Sequence, residues 1–354
     1  MTLSVQAVLR MAQGYQLSAI LRAGLDLGVF DHLGPHGADA AEVANGLGTD
    51  VRGTRIILEA LSALGLLEQH EGHFRLGHLA QERLVAGASN SLADPIRLYT
   101  SDDLWRAMGT LADAVRCGGT MLADRPETRH HPYWEQYAAA LSGFMGPSSA
   151  AMARILTPWA QARPMLNVLD VGCGNGAYGY AIAASHAGAR VCSLDWPNVL
   201  PAAREQAKRL GVLDRVIFIE GDMHTVALDG PYDLAILSNV LHQFSLERCS
   251  RLLGRIARHL ISNGRIVIHD LLSCRPEEPA AHRAAALFSV LMLVWTTEGE
   301  AHSLGEYQAL LKGSGFGVPV VYDVPGLPSK VILADRLAVD QPHRAPASRS
   351  DSGP

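Results

Sequence analysis

No apolar run in this 354-residue chain reaches the roughly 18 residues that a membrane-spanning helix requires, so no association with a membrane is expected. Met1 to Gln16 lacks the charged-then-apolar pattern of a secretory leader, and the expected location is the cytoplasm. Cysteine is scarce: Cys117, Cys173, Cys192, Cys249 and Cys274 show neither paired spacing nor a C-x-x-C, which fits reduced thiols rather than a disulfide framework. Excess positive charge is missing too. With 48% hydrophobic and 18% charged residues and a formal net charge of -5, the balance is that of a globular chain long enough for two domains. There is no internal repeat, and the histidines from His242 onward show no close metal-ligand spacing such as H-x-x-x-H.

What is present is concentrated in the C-terminal half. Val168 to Gly176 reads Val-Leu-Asp-Val-Gly-Cys-Gly-Asn-Gly, an apolar run that ends in an acid and glycines at alternate positions. Asn167, Val168 and Leu169 have the character of a buried parallel strand, and Ala177 to Ser185 is compatible with a helix. Without Cβ atoms, Gly172, Gly174 and Gly176 let a ligand approach the backbone. The turn holds a G-x-G-x-x-G, Gly174 to Gly179, that by itself would also suit a dinucleotide-binding dehydrogenase. Asp170 argues otherwise, because its carboxylate is placed to accept from a cationic amine and would repel a pyrophosphate. Ala189 to Leu194 then leads to Asp195, a strand-end acid suited to a ribose diol. Val216 to Ile219 leads to Glu220-Gly-Asp-Met223, where Asp222 can accept from an adenine amine and Met223 can lie on the purine face. Ammonium, ribose and adenine sites in that order describe S-adenosylmethionine.

Residues 165 to 335 resemble the catalytic domain of S-adenosylmethionine-dependent methyltransferases. More narrowly, residues 5 to 335 are similar to small-molecule O-methyltransferases with an N-terminal dimerisation domain, the caffeic acid and antibiotic-tailoring type. The resemblance implies an α/β fold, a Rossmann-like seven-stranded sheet with one antiparallel edge, preceded by a mostly helical winged-helix dimerisation domain. The implied boundaries are 1–88 for that domain, 89–163 for connecting helices, 164–337 for the cofactor-binding domain and 338–354 for a polar tail too poor in apolar residues to pack. It also implies a homodimer acting on a small-molecule acceptor, with residues lent to the partner's pocket. By position in the family, Met145 and Ser149 fall near cofactor and substrate, and Ser238 stands where plant relatives carry a lysine near the adenine.

The N-terminal residues themselves read as helices followed by a hairpin. Leu17, Ile20, Leu21, Leu25, Leu27 and Phe30 form a stripe at helical spacing, followed by helices at 40–47 and 50–64 and strands at 66–68 and 72–76. A winged helix of this kind can bind DNA, but its second helix offers only Arg52 and Arg55, with Glu59 on the same face. The expectation is therefore a scaffold, with Leu9, Met11, Leu17, Ile20 and Leu21 as surplus apolar surface for a second copy. A loop at 125–132 and a helical bridge from Tyr133 to Leu156 lead into the expected catalytic part.

A hydroxyl acceptor must lose its proton as it attacks a methyl group, which calls for a base. His242 follows the fourth strand, Asp233 to Leu237, in a segment His242-Gln-Phe-Ser-Leu-Glu247 that matches the family's base position. The family often adds a carboxylate within a Gly-x-Glu-Arg-Thr segment; here Gly299-Glu-Ala-His-Ser303 puts Ala301 at that place. Glu300 or Asp270 then takes over the role, or His242 works alone, or the chemistry is methyl transfer to carbon or sulfur. His242, His269, Asp270 and His302 also raise a divalent metal, although the family is mostly metal-independent and none is expected. The helix over 284–297 is the expected acceptor wall, with Phe288, Met292 and Trp295 at helical spacing and His302 beyond it. A helix over 303–315 and strands over 318–324 and 330–334 complete the sheet. Two other readings stay open: a relative that binds the cofactor without transferring methyl, and a DNA-binding regulator.

Overall fold

A computed structural model describes residues 3–34, 37–88, 91–141, 145–273 and 278–338; Cys274 and the tail from residue 339 onward lie outside them. The N-terminal part comprises α1 (Val5–Ala12), α2 (Gly14–Asp26), α3 (Val29–His32), α4 (Ala40–Leu47), α5 (Val51–Ala63), the hairpin β1 (Leu67–His70) and β2 (His73–Leu76), and α6 (His78–Arg83). Local chemistry sets its boundaries. Asp39 accepts from the amides of Ala41 and Glu42 while Glu42 answers on the Asp39 amide, and Asp50 accepts from Gly53 at the start of α5. Leu25, Phe30, Val43, Leu58, Leu61 and Phe74 form its core. Arg55 on α5 is paired with Glu59 at 2.9 Å. Helix α1 buries none of its residues, and Val5, Leu9, Met11 and Leu17 stay exposed on α1 and α2.

The connecting part holds α7 (Ala93–Tyr99), α8 (Asp102–Gly109), α9 (Leu111–Cys117), α10 (Pro132–Ala140) and α11 (Gly146–Gln161). The expected helical bridge over 133–156 is formed by α10 and α11. Pro147 in the first turn of α11 cannot continue a preceding helix but has the φ that begins a new one.

The C-terminal part alternates β3 (Leu166–Val171), α12 (Ala177–Ser185), β4 (Ala189–Asp195), α13 (Leu200–Arg209), β5 (Val216–Glu220), β6 (Tyr232–Ser238), α14 (Leu246–Ala257), β7 (Leu260–Asp270), α15 (Pro279–Trp295), α16 (Leu304–Gly313), β8 (Val320–Asp323) and β9 (Lys330–Asp335). The sheet order is β5-β4-β3-β6-β7-β9-β8, and β9 runs antiparallel to both its neighbours. Two apolar layers cover the faces, one with Met152, Tyr180 and Leu200 at its centre, the other with Leu252, Leu253 and Tyr307. The chain winds outward from β3 to β4 and β5, then returns to place β6 on the other side of β3. That reversal opens a crevice at the carboxyl ends of β3 and β6, where ligands of open α/β sheets bind.

Close packing at β3 depends on Gly179 of α12. A Cβ there would lie 2.7 Å from Asp170 Oδ2 and 2.9 Å from Val191 Cγ1. Replacing Gly179 by Ala is expected to cost about 1–3 kcal/mol through overpacking. Thermal or urea denaturation checks this; an unchanged midpoint would show that α12 can retreat without loss.

Candidate active site

Two adjoining cavities occupy the crevice, with empty volumes of about 790 and 1090 Å³, on the scale of the roughly 300–1,000 Å³ typical of small-molecule sites. Trp134, Tyr137, Met145, Asn239 and Gln243 line both and so mark their common wall.

The first cavity is built on the glycine turn. Gly172 has φ of 64°, and a Cβ there would stand 2.8 Å from Val240 Cγ2, so the turn can pass under the cavity only without a side chain. Its amides at Gly172 and Cys173 are tied to the Leu194 carbonyl at the end of β4. Asp170 Oδ2 accepts from the Gly179 amide at 3.1 Å. Burial pushes the Asp170 carboxyl up to about 7, the Gly179 amide opposing and nearby Asp195 adding to the rise. Asp195 accepts from the Gly174 and Trp196 amides at 2.8 and 2.7 Å, yet burial still lifts it to about 6. Ser238 Oγ is buried beside them without a hydrogen-bond partner. Two carboxyls short of positive charge and an orphaned hydroxyl fit a ligand that brings a cation and polar hydrogens. Met223 lines the same cavity.

The second cavity is walled by aromatic and thioether side chains. Phe288, Met292 and Trp295 of α15 face it as expected from the sequence, joined by Tyr99, Tyr133 and Leu291. Helix α15 itself begins five residues before the expected start, at Pro279. His242 sits on a 3-10 turn just after β6, buried against the edge of Phe288 at 4.7 Å between ring centroids. Its Nδ1 lies 2.6 Å from Asp270 Oδ1. Burial pushes the Asp270 carboxyl up, but the charge and hydrogen bond of His242, the Tyr307 hydroxyl and the Leu271 amide outweigh it and hold the group below its ordinary value. An ionised Asp270 can only accept, so Nδ1 carries the proton and Nε2 is left with its lone pair. Behind this pair, the Tyr178 hydroxyl links Ser148 Oγ and His269 Nδ1, and His269 Nε2 meets Ser329 Oγ at 2.9 Å. Burial holds His269 neutral, with its pKa down to about 4.

Several residues singled out from sequence are placed elsewhere. Glu300 is exposed and borders a separate surface depression with Ser289 and Gly118; the carboxylate that meets His242 is Asp270, carried to the crevice by β7. His302 is buried behind the site, its Nε2 3.0 Å from the Phe244 carbonyl, and does not line the second cavity. Ser149 turns into α11 and donates to the Gly146 carbonyl, whereas Ser148, one position back on the helix, faces the cavity. Asp222 closes its own turn by accepting from the His224 amide and is not among the residues of the cavity wall, unlike its neighbour Met223. Gly176 serves packing, since a Cβ would strike the Tyr180 ring at 2.1 Å. Among the described residues no group of three or more His, Cys, Asp or Glu is arranged to hold a metal; His242, His269 and His302 each turn to a different partner. Sequence reasoning missed Trp134, Tyr137, Trp196 and Asn239. The aromatic cluster at 133, 134 and 137 in a chain with only 6% aromatic residues was the available signal.

Comparison with known proteins bears on this geometry. The profile of the O-methyltransferase domain matches residues 134–317, and that of the O-methyltransferase dimerisation domain matches residues 9–85. Acetylserotonin O-methyltransferase of Mus musculus is 32% identical over 330 residues, 88% of this chain and 83% of that protein. The 3-hydroxy-5-methyl-1-naphthoate 3-O-methyltransferase of Streptomyces sahachiroi is 28% identical over 316 residues, 86% of this chain and 87% of the relative. The crystal structure of human N-acetylserotonin methyltransferase in complex with S-adenosylmethionine superposes with a TM-score of 0.80 at 26% identity, covering 96% of this chain and 99% of that one. The chain belongs to the S-adenosylmethionine-dependent O-methyltransferase family and carries the family's dimerisation domain at its N-terminal end.

Proposed function

We propose that this methyltransferase acts on a hydroxyl group of a flat, largely apolar aromatic small molecule, with His242 as general base. The observation that carries this reading is the buried His242–Asp270 pair at 2.6 Å on the wall of an aromatic-lined cavity that adjoins the cofactor cavity. Bound S-adenosylmethionine supplies an already activated methyl group. The protein then has two tasks. Tyr133, Trp134, Phe288 and Trp295 hold a planar acceptor and exclude water, so that positioning replaces a bimolecular encounter. His242 Nε2 takes the hydroxyl proton, and Asp270 on Nδ1 keeps the tautomer and offsets the charge that develops on the ring. Methyl transfer to a thiolate or enolate needs no such base, and the pair therefore favours oxygen. The mouse and Streptomyces relatives are both named for O-methyl transfer to a small molecule.

Asp170 is assigned the cofactor's ammonium, Asp195 the ribose, and Met223 with Ser238 the adenine end. Two copies are inferred to associate through α1 and α2, whose exposed Val5, Leu9, Met11 and Leu17 lie in or beside the matched dimerisation segment. The free thiols of Cys117, Cys173, Cys192 and Cys249 suit work in a reducing compartment such as the cytoplasm.

Replacing His242 by Ala is expected to lower kcat by about 10²–10⁴-fold, while S-adenosylhomocysteine affinity stays within about twofold because the residue contacts Asp270 rather than Asp170. Turnover of a panel of hydroxylated aromatics, with calorimetry for the nucleoside, measures both; undiminished turnover refutes the base assignment. Asp170 generates a pH dependence. Its carboxyl, lifted to about 7, is protonated in the free protein below that pH, and an ammonium partner draws it down again. Binding therefore releases a proton, and affinity rises as pH increases until it levels off above about 7. Kd for S-adenosylhomocysteine should be at least about tenfold weaker at pH 5.5 than at pH 8, and Asp170→Asn should bind weakly at both. A Kd independent of pH in the wild-type protein contradicts the ammonium assignment. Light scattering of Leu9→Arg with Met11→Arg is expected to give half the wild-type mass; an unchanged mass places the dimer contact elsewhere.

A further inference from the structure

Asp270 orients His242, but a carboxylate on a short side chain turns easily about its last torsion, where the energy profile is broad and two-fold. One hydrogen bond to the imidazole does not hold its plane. We infer that Tyr307 is the positioning residue of this pair, fixing Asp270 through the oxygen that His242 does not use.

The geometry divides the carboxylate in two. Asp270 Oδ1 takes His242 Nδ1 at 2.6 Å and the Leu271 amide at 2.9 Å, and Oδ2 takes the Tyr307 hydroxyl at 2.8 Å. Tyr307 is fully buried on the first turn of α16. That helix begins at a reciprocal cap in which Ser303 accepts from the Glu306 amide and Glu306 answers on the Ser303 amide, so the ring is delivered by a well-anchored helix start. Immediately before the cap, His302 lies edge-on to Tyr307, with ring centroids 5.8 Å apart and planes at 79°. Its Nε2 is 3.0 Å from the carbonyl of Phe244, the residue that ends the turn carrying His242. Gly299 packs against the same turn so closely that a Cβ would come 2.4 Å from the His242 carbonyl. Residues 299–307 thus grip both partners from behind, the backbone of His242 and the carboxylate of Asp270. The segment that has Ala301 where a carboxylate stands in related chains supplies a hydroxyl instead.

The direction of donation follows from the surroundings. Burial pushes the Tyr307 phenol well above its ordinary value, with Asp270 adding to the rise, so it stays a neutral donor to an ionised acceptor. The other titratable groups that face Asp270 are His242 and Cys249 from the β6–α14 side, His269 on β7, Tyr178 on α12 and Tyr137 on α10. Cys249 and the two tyrosines are pushed up by burial and His269 is pushed down, so all four remain neutral where the pair titrates. Without the Tyr307 hydroxyl, Asp270 becomes the stronger base and the pair holds its shared proton more tightly.

The test uses full-length protein labelled with ¹⁵N-histidine and saturated with S-adenosylhomocysteine, and its functional meaning rests on His242 as base. Nuclear magnetic resonance follows the titration of the His242–Asp270 pair, identified by its loss in His242→Gln. Tyr307→Phe is expected to raise the midpoint by about half a pH unit or more, as loss of a hydrogen bond to a carboxylate does. Substituting 3-fluorotyrosine at position 307 gives a stronger donor of nearly the same shape and lowers the midpoint, which tests the idea even if Tyr307→Phe folds poorly. Midpoints that do not move in either protein overturn the inference, including when thermal stability falls, because a purely structural tyrosine affects stability alone. Full turnover by His242→Gln would remove the base reading and leave the positioning result standing.

Discussion

The parallel alignment of β3, β6 and β7 is the constraint on which the site depends. In register, Asp170 lies beside Ile236 and Ser238 beside His269, so the carboxyl ends of three strands that are remote in sequence open at one edge. Asp170 leaves β3, Ser238 leaves β6 with His242 one turn beyond, and Asp270 ends β7. Parallel strands also require covered faces, and α11 and α12, which cover one of them, also give Ser148 and Tyr178 to the cavity walls.

Three buried carboxyls at that edge are treated differently, and the difference follows from their partners. Asp170 and Asp195 receive only backbone amides, and burial wins: they sit near 7 and 6. Both keep their protons to higher pH than an exposed carboxyl does, and a ligand that brings positive charge or polar hydrogens favours their ionised form. Because their protons are held more tightly in the folded chain than in an unfolded one, these two groups reduce stability progressively as pH rises from about 4 through 7. Asp270 has His242, Tyr307 and the Leu271 amide, and those interactions overcome the same burial. The first cavity is thus electrostatically incomplete and set for a ligand, and the second already holds its own hydrogen-bonded His242–Asp270 pair.

Much of the catalytic part was legible in the sequence. Helix α12 has the expected bounds, and β3, β4, β5, β6 and β9 fall within one or two residues of theirs, because continuous β-branched runs bounded by glycine and acid are read the same way locally and globally. The N-terminal α4 likewise keeps its expected span, set by an Asp cap on one side and Gly48 on the other. The bridge before β3 was less legible, since helical periodicity continues across Leu141 to Met145 while Pro147 restarts the helix. Site residues divide by range. Those on the glycine turn and the strand ends are specified by neighbours within ten residues. Glu300 and Asp270 were equal candidates beside His242, being 58 and 28 residues away, and nothing local distinguishes them.

By itself the sequence determined a glycine turn at the end of the first strand of the sheet, an acid two residues before its first glycine, and His242 just after the fourth strand. These are short-range facts carried by residue type and spacing. Only the tertiary structure decided that Asp270 holds His242, that Tyr307 holds Asp270, that Ser148 rather than Ser149 faces the second cavity, and that α10 supplies part of its aromatic wall. Each of these depends on which elements pack together and on how a helix is rotated about its axis, and one position on a helix turns a side chain through about 100°. Strand-end chemistry is written in consecutive residues, but contact between β7, α16 and the turn after β6 is set by the sheet order.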